Sequence, residues 1–291
     1  MASAELRIIN RRIKSVKSTK KITRAMELIA SSRIVKAQQR MESSSSYIEV
    51  LTEIVQDLVN LGSIGGDSSE EDSKKVAMVV VASDRGLAGA YNSNILKLAE
   101  QKHQELLSSN KEVDLYTVGK KASGYFSYRN IEPVSSYEGI TDGPKFENAL
   151  DVMKSIIDLY SNRDLSEVYI LYTKYVSALT QNAIVKQLLP LEKEDSSEGE
   201  FEEKTGGYSF EPSAEEVLEE LIPKYMNATL FGALLNSSTS EHASRMRAMK
   251  AATENAEDLV KVLTRQSNQA RQAEITTEIS EIVGGAEALS D

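Results

Sequence analysis

Apolar residues recur every three or four positions over the last quarter of the chain, from residue 213 to about 289. This spacing predicts one amphipathic helix. At ~1.5 Å rise per residue the helix is ~115 Å long, far beyond the radius of gyration of roughly 19 Å expected for a compact domain. We therefore expect a shaft whose one-sided stripe needs a partner: Val217, Leu218, Leu221, Tyr225, Thr229, Ala233, Met246, Met249, Ala252, Ala256, Leu259, Leu263, Ala270, Ile275, Ile279, Ile282, Ala286 and Leu289.

The first sixty residues predict a second long helix. Residues 4–61 contain neither proline nor glycine, and their apolar residues keep a helical spacing. The stripe comprises Leu6, Ile9, Ile13, Val16, Ile22, Met26, Ile29, Ile34, Ala37, Met41, Ile48, Leu51, Val55 and Leu58. Two such helices at opposite ends of one chain, joined through a globular middle, can pair only antiparallel. We expect a coiled coil of the two termini.

The middle of the chain alternates between strand and helix patterns. Residues 76–83 are apolar on both faces, as in a central parallel strand covered by helices. Helices are expected at 92–108, 120–128 and 144–161, and strands at 113–118, 131–134, 168–172, 183–189 and 208–211, with 183–189 antiparallel to its predecessor. Solvated segments are expected at 62–73 and 191–207. The alternation predicts an α/β fold with a Rossmann-like, doubly wound sheet.

These patterns divide the chain into three parts. Residues 1–61 form an N-terminal coiled-coil helix, 76–212 an α/β domain, and 213–291 a C-terminal coiled-coil helix that pairs with 1–61. The longest apolar run, at 76–82, is far shorter than the ~20 residues that a membrane-spanning helix requires. The chain has no cysteine, which excludes disulfides and thiolate chemistry, and its two histidines stand far apart without ligand-like neighbours. We expect no metal site.

The net charge of −10 is unevenly distributed. Residues 1–40 hold eleven Lys or Arg against two Glu, a balance of +9, so the remainder carries −19. Such asymmetry favours an acidic partner, whether nucleic acid, lipid or protein. A basic start also imitates a mitochondrial transit peptide, but the helical periodicity continues past residue 40, so we expect this helix in the mature protein.

The basic charges are distributed around the helix rather than along one stripe, and no helix-turn-helix or aromatic interleaving accompanies them. An acidic protein is therefore the favoured partner. A coiled-coil nucleic-acid-binding or scaffold protein is the alternative interpretation.

Candidate chemistry is sparse. The turn at 83–89 follows a strand and precedes a helix, where a phosphate-binding loop would lie, but it lacks both the G-x-G-x-x-G and the lysine-terminated P-loop patterns. Glu278 and Glu281 lie three apart on a helix with polar neighbours, which is typical of a solvated face. We expect no catalytic residues and no cofactor.

The C-terminal helix is longer than its expected partner. Its overhang of about twenty residues, ~30 Å at the helical rise, covers roughly residues 270–289. Its apolar stripe continues there with no helix of the same chain left to cover it, which predicts a protein-binding surface. A frayed terminus is the alternative, favoured by Gly284 and Gly285.

Four segments resemble the gamma subunits of F-type ATP synthases. The most specific is 275–288, with the sequence ITTEISEIVGGAEA, which is similar to that family's C-terminal signature. The others are KKITRAME at 20–27, SDRGLAG at 83–89 and RMRAMKAATENA at 245–256. Family members often have cysteine at the position of Ala88, and the cysteine-bearing insertion of chloroplast forms is absent. The resemblance covers the whole chain and implies a bacterial type.

This resemblance implies a central rotor shaft that couples ion flow, expected to be protons, to ATP synthesis or hydrolysis without performing chemistry itself. One copy per complex would stand in a head of alpha and beta subunits, with delta, epsilon and the c-ring as further partners and no nucleic acid. The complex would hold it at the cytoplasmic face of the bacterial plasma membrane as a peripheral protein. The implied head contacts are Met26, Arg33, Lys36, Arg245, Gln272, Thr276 and Glu278, together with the tail residues Ile275, Ile279 and Ile282.

Overall fold

The computed structural model describes residues 4–60, 74–191 and 213–288. The helices are α1 (Ala4–Asn60), α2 (Tyr91–Ser108), α3 (Lys120–Tyr128), α4 (Phe146–Ser161) and α5 (Ala214–Ala288). The strands are β1 (Lys75–Val81), β2 (Glu112–Val118), β3 (Ser135–Tyr137), β4 (Glu167–Tyr175) and β5 (Gln181–Leu189). The segments expected at 62–73, 192–207 and 208–211 lie outside the described residues, as does Leu289.

The five strands form one sheet in the order β3-β2-β1-β4-β5. The first four are parallel, whereas β5 pairs antiparallel with β4. Helices cover both faces, since α2 and α3 pack on one face, and α4 with inner segments of α1 and α5 packs on the other. This arrangement confirms the predicted doubly wound sheet, with β1 buried on both sides.

One strand was predicted at the wrong place. The expected strand at 131–134 contains Pro133, which has no backbone N–H to donate to a ladder. The chain instead pairs with β2 three residues later, through Ser135–Tyr137. Val134 makes the first contact, where its N–H donates to the carbonyl of Leu115 at 2.8 Å.

The chain divides into two compact units. The first, residues 1–30 and 245–291, contains the outer segments of α1 and α5; the second, residues 31–244, contains the sheet and the inner segments of both helices. The three-part division at 1–61, 76–212 and 213–291 stays a prediction.

The first unit is an antiparallel helix pair, as predicted. Three side-chain contacts fix the direction, because partner numbers fall along α1 as they rise along α5: Thr23 with Thr253 at 2.7 Å, Lys20 with Glu257 at 3.1 Å, and Asn10 with Ser267 at 3.1 Å. Most buried and half-buried positions alternate spacings of four and three residues on both helices, at 6, 9, 13, 16, 20, 23, 27 and 30 and at 249, 253, 256, 260, 263, 267, 270 and 274, with half-buried Met26 and Ala252 beside this series. This heptad period is the seam of a left-handed coiled coil.

The seam corrects part of the predicted stripe. Ile22 and Ile29 are 58% and 55% exposed, and Leu259 is 44% exposed. The seam instead contains Lys20, Thr23 and Ala30. A strict seven-residue repeat has 3.5 residues per turn, so it drifts away from a stripe with the 3.6 residues per turn of a straight helix.

In the second unit the inner helix segments belong to the core of the sheet. Val55, Leu58 and Val59 of α1 and Met226 and Leu230 of α5 are almost fully buried there. The two helices approach closely, because a Cβ added at Gly232 would lie 2.9 Å from the side chain of Ile48.

Candidate functional site

The end of α5 presents the apolar surface expected of a partner contact. Every residue from 275 to 286 is exposed, including Thr276 and Glu278, and Gln272 is exposed as well. The exposed fraction rises from 47% at Ile275 through 57% at Ile279 to 71% at Ile282. Four apolar side chains, Val283 included, are thus uncovered within four turns of one helix. Large apolar surfaces of this kind mark binding sites for other proteins.

Two predicted contact residues lie in the coiled coil itself. Met26 is half-buried, whereas Arg245 is only 9% exposed. Arg24 pairs with Glu27 on the same helix at 2.7 Å. Unlike the tail, this region combines basic residues with exposed Ile22, Leu28 and Ile29, three apolar side chains that the sequence stripe had assigned to the interior or passed over.

Arg33 and Lys36 lie in the second unit, beside a cavity of about 300 Å³. Both carboxylate oxygens of Asp142 accept hydrogen bonds from the guanidinium group of Arg33, whereas Lys36 is exposed. His242 Nε2 lies 3.7 Å from an Asp142 carboxylate oxygen, and Arg40 lines the same cavity. The sequence did not single out Asp142; its place in a Thr-Asp-Gly-Pro turn after β3 was the available signal.

The turn after β1 uses its polar groups internally. The Asp84 carboxylate accepts hydrogen bonds from the N–H groups of Gly139 (2.9 Å), Lys120 (3.1 Å) and Thr141 (3.2 Å), and from the Thr141 hydroxyl (2.9 Å). The N–H of Ser83 donates to Asn92 Oδ1 at 3.0 Å. A phosphate at this turn would meet a carboxylate and amides that are already bonded, so the geometry disfavours nucleotide binding here.

The environment of Asp84 favours its charged form. Burial raises the pKa of the Asp84 carboxyl, but the hydrogen bonds from Gly139, Thr141 and Lys120 outweigh this effect and hold the pKa below its ordinary value. The charged carboxylate therefore fixes the segment at 139–141 against the end of β1, and Asp142 follows directly.

Residues 4–60, 74–191 and 213–288 match neither the pattern of a metal-ligand cluster nor that of a membrane-spanning helix. These ranges contain no cluster of three or more potential metal ligands. Within the same ranges, no helix is both long enough and apolar enough to cross a bilayer.

Comparisons with known proteins agree along the whole chain. A family model described as ATP synthase matches residues 5–289. The ATP synthase gamma chain of Nocardioides sp. is 45% identical over 296 residues, which cover 99% of this chain and 98% of the relative. That of Thermobifida fusca is 45% identical over 295 residues, with 99% and 97% covered.

Solved structures show the same fold. The central stalk and c-ring structure of Tetrahymena thermophila mitochondrial ATP synthase contains a chain with a TM-score of 0.60 and 25% identity, covering 79% of this chain and 99% of that chain. A chain of Euglena gracilis mitochondrial ATP synthase gives a TM-score of 0.71 at 17% identity, with 98% and 94% covered.

Proposed function

We propose, from the premise that the chain belongs to the ATP synthase gamma-chain family, that it is the central rotor shaft of an F-type ATP synthase. In this role it couples proton flow through a membrane c-ring to ATP synthesis or hydrolysis in an alpha and beta subunit head. The observation that carries the proposal is the end-to-end match to bacterial gamma chains at 45% identity.

The fold suits a mechanical role. A shaft influences catalysis by presenting different faces to chemically identical neighbours, so that each neighbour is biased toward a different conformation and nucleotide affinity. The chain itself then needs no catalytic residue and acts as a non-catalytic subunit required for the activity of the complex. A two-stranded coiled coil also resists bending and twisting better than a single helix.

The assigned contacts combine the exposed tail with residues that the resemblance to the family implies. We assign the tail residues Gln272, Thr276 and Glu278, with the exposed stripe of Ile275, Ile279 and Ile282, to the inner surface of the head. The basic residues Arg33 and Lys36, together with Met26 and Arg245, are assigned to its acidic loops. Charge attraction at exposed sites depends weakly on exact geometry, which suits a contact that is remade during each rotation.

The remaining partners are those of the family. We place the sheet unit with the epsilon subunit on the c-ring, with delta elsewhere in the complex and one copy of this chain per complex. Association with the membrane then occurs only through the complex, at the cytoplasmic face of the bacterial plasma membrane. Membership of the family leaves the nucleic-acid or scaffold interpretation without support.

The test is a pull-down of the tagged full chain from membranes in mild detergent, followed by sizing and an ATPase assay. The expected result is a complex with a nucleotide-binding hexamer, whose ATP turnover falls when residues 270–291 are deleted. Wild-type ATP turnover after the deletion would contradict the proposed contacts of the tail with the head.

A matched pair of variants separates the apolar stripe from the tail as a whole. Ile282→Asp changes an exposed apolar side chain, and Glu281→Gln changes its exposed polar neighbour. We expect only the isoleucine variant to lower turnover. Recovery of the tagged chain without any hexamer would contradict the rotor function itself.

A further inference from the structure

An unusual stretch of α5 lies against the sheet. All residues from 237 to 244 are buried, although the stretch reads Ser-Ser-Thr-Ser-Glu-His-Ala-Ser. An ordinary core helix buries an apolar stripe, because buried hydroxyl and amide groups cost free energy unless they are hydrogen-bonded. The bonding partners of this stretch therefore indicate what it does.

Two of its side chains, and that of the preceding Asn236, bond to the backbone of β4. The N–H of Thr173 donates to the hydroxyl of Ser237 at 3.4 Å, and the hydroxyl of Ser240 donates to the carbonyl of Thr173 at 3.1 Å. The N–H of Tyr175 donates to Asn236 Oδ1 at 3.2 Å. Positions 236, 237 and 240 share one face of a helix, so the three groups meet the strand together.

These bonds replace a missing strand. The pairing of β1 with β4 ends at Val80 with Leu171, while β4 continues to Tyr175. Beyond Leu171 one edge of β4 therefore has no strand partner among residues 4–60, 74–191 and 213–288, and an unpaired buried edge is unfavourable. Asn236, Ser237 and Ser240 supply the acceptors and the donor that β1 no longer provides.

A second attachment is made by Ser238 and His242 of the same stretch. The Ser238 hydroxyl donates to the carbonyl of Asp142 at 3.4 Å, and His242 Nε2 lies at the same distance from that oxygen. The segment that carries Asp142 is in turn held to the end of β1 by Asp84. The helix thus bonds directly to the carboxyl end of β4 and is linked to the carboxyl end of β1 through the segment at 139–142.

We propose that Asn236, Ser237 and Ser240 are positioning residues that fix the rotation and the axial register of α5 on the sheet, so that torque passes between shaft and sheet without slippage. This inference rests on the rotor function proposed above. Apolar packing alone resists a small rotation weakly, because it has no direction. Hydrogen bonds are directional and are lost beyond about 3.5 Å, so a shift of about 1 Å would break all three together.

The test uses the Ser237→Ala/Ser240→Ala double variant in the assembled complex, with two readouts. Removing the acceptor Ser237 should speed hydrogen exchange of the Thr173 amide about tenfold, which corresponds to the loss of one hydrogen bond of ~1.4 kcal/mol. Protons pumped per ATP hydrolysed should fall, a ratio that a lower yield of folded complex does not change. Ser237→Thr/Ser240→Thr, which keeps both hydroxyls, should restore the ratio.

Thr239→Val is the matched control. Its hydroxyl is buried but bonds only within the helix, to the carbonyl of Leu235 at 2.8 Å. We expect an unchanged pumping ratio for this variant. An equal loss in Thr239→Val, or a wild-type ratio in the double variant, would overturn the positioning role.

If the double variant fails to assemble, Ser237→Ala alone, which removes the acceptor of the Thr173 N–H, and amide exchange on the full chain decide the question. Unchanged exchange at Thr173 would then refute the proposal. Failure of the wild-type chain to support any proton pumping would instead refute the rotor function, and it would leave the exchange test of these bonds standing.

Discussion

Asp84→Ala is expected to destabilise the sheet unit by about 3 kcal/mol. The substitution removes four hydrogen bonds from the carboxylate. The bonds from Lys120 and Gly139 are exposed, so water can replace the carboxylate there. The two from Thr141 are partly buried, and at ~1.5 kcal/mol each, the lower end for bonds to a charged group, they give this figure.

Asp84→Asn should cost less, roughly 1 to 1.5 kcal/mol. The remaining amide oxygen can still accept from Gly139 and Lys120, and the Thr141 hydroxyl can turn to accept from the new NH₂ group. Only the bond from the Thr141 N–H is lost, since it then faces the NH₂ group, donor against donor. Urea unfolding of the full chain at pH 7, followed by circular dichroism, measures both losses. Asp158→Asn, which removes the same charge from an exposed position of α4, should stay within about 0.5 kcal/mol of wild type.

The stabilisation should also depend on pH. Because the folded state holds the pKa of Asp84 below its ordinary value, the stabilisation is fully present above the unfolded pKa of about 3.9. It is lost as the pH falls through the lower, folded pKa. The difference between wild type and Asp84→Asn should therefore be constant near neutrality and shrink below about pH 3.9. Equal urea midpoints for Asp84→Ala and Asp158→Asn at pH 7 would refute the reasoning.

Three further substitutions, one of them with a matched glycine control, test other parts of the structure. Gly119→Ala places a Cβ 2.4 Å from the carbonyl oxygen of Ala82 at φ +93°, and should cost about 3 kcal/mol in urea unfolding, whereas Gly124→Ala has open space and should stabilise slightly. Thr253→Val loses a buried hydroxyl contact at 2.7 Å with α1 and should lower coiled-coil stability in thermal melts by about 1 kcal/mol. Ile279→Asp should leave unfolding of the chain unchanged but lower ATP turnover of the complex; unchanged turnover would contradict the contact role.

The regular part of the fold could be predicted because each element carries its own signal. β1 is apolar at every interior position and is buried on both faces, and β5 ends at Leu189 just before Pro190. The apolar residues within 131–134 favour a strand there, but Pro133 has no backbone N–H to donate to a neighbouring strand, so the predicted third strand was misplaced. Pairing with β2 decided that boundary, and pairing is a long-range property.

The coiled-coil seam was predicted only in part. Ile22 and Ile29 fit a 3.6-residue stripe but not the heptad that the partner helix imposes. A strict alternation of spacings of three and four residues predicts Thr23 and Ala30 at the seam instead.

The polar stretch of α5 could not be found from the sequence. Serine and threonine in a helix usually indicate an exposed face, and nothing near residue 237 reveals that the edge of β4 needs donors and acceptors. Thr173 is more than sixty positions away, and Asp142 almost a hundred. Burial of polar groups follows from which distant backbone atoms remain unpaired, so only the folded arrangement shows it.

The uncovered isoleucines at the end of α5 affect the protein before it reaches its complex. A newly synthesised copy carries this apolar surface into a crowded cell with nothing bound to it, and such surfaces associate with one another. Production of the chain must therefore keep pace with production of the subunits that cover its tail. Copies made in excess should aggregate or be degraded.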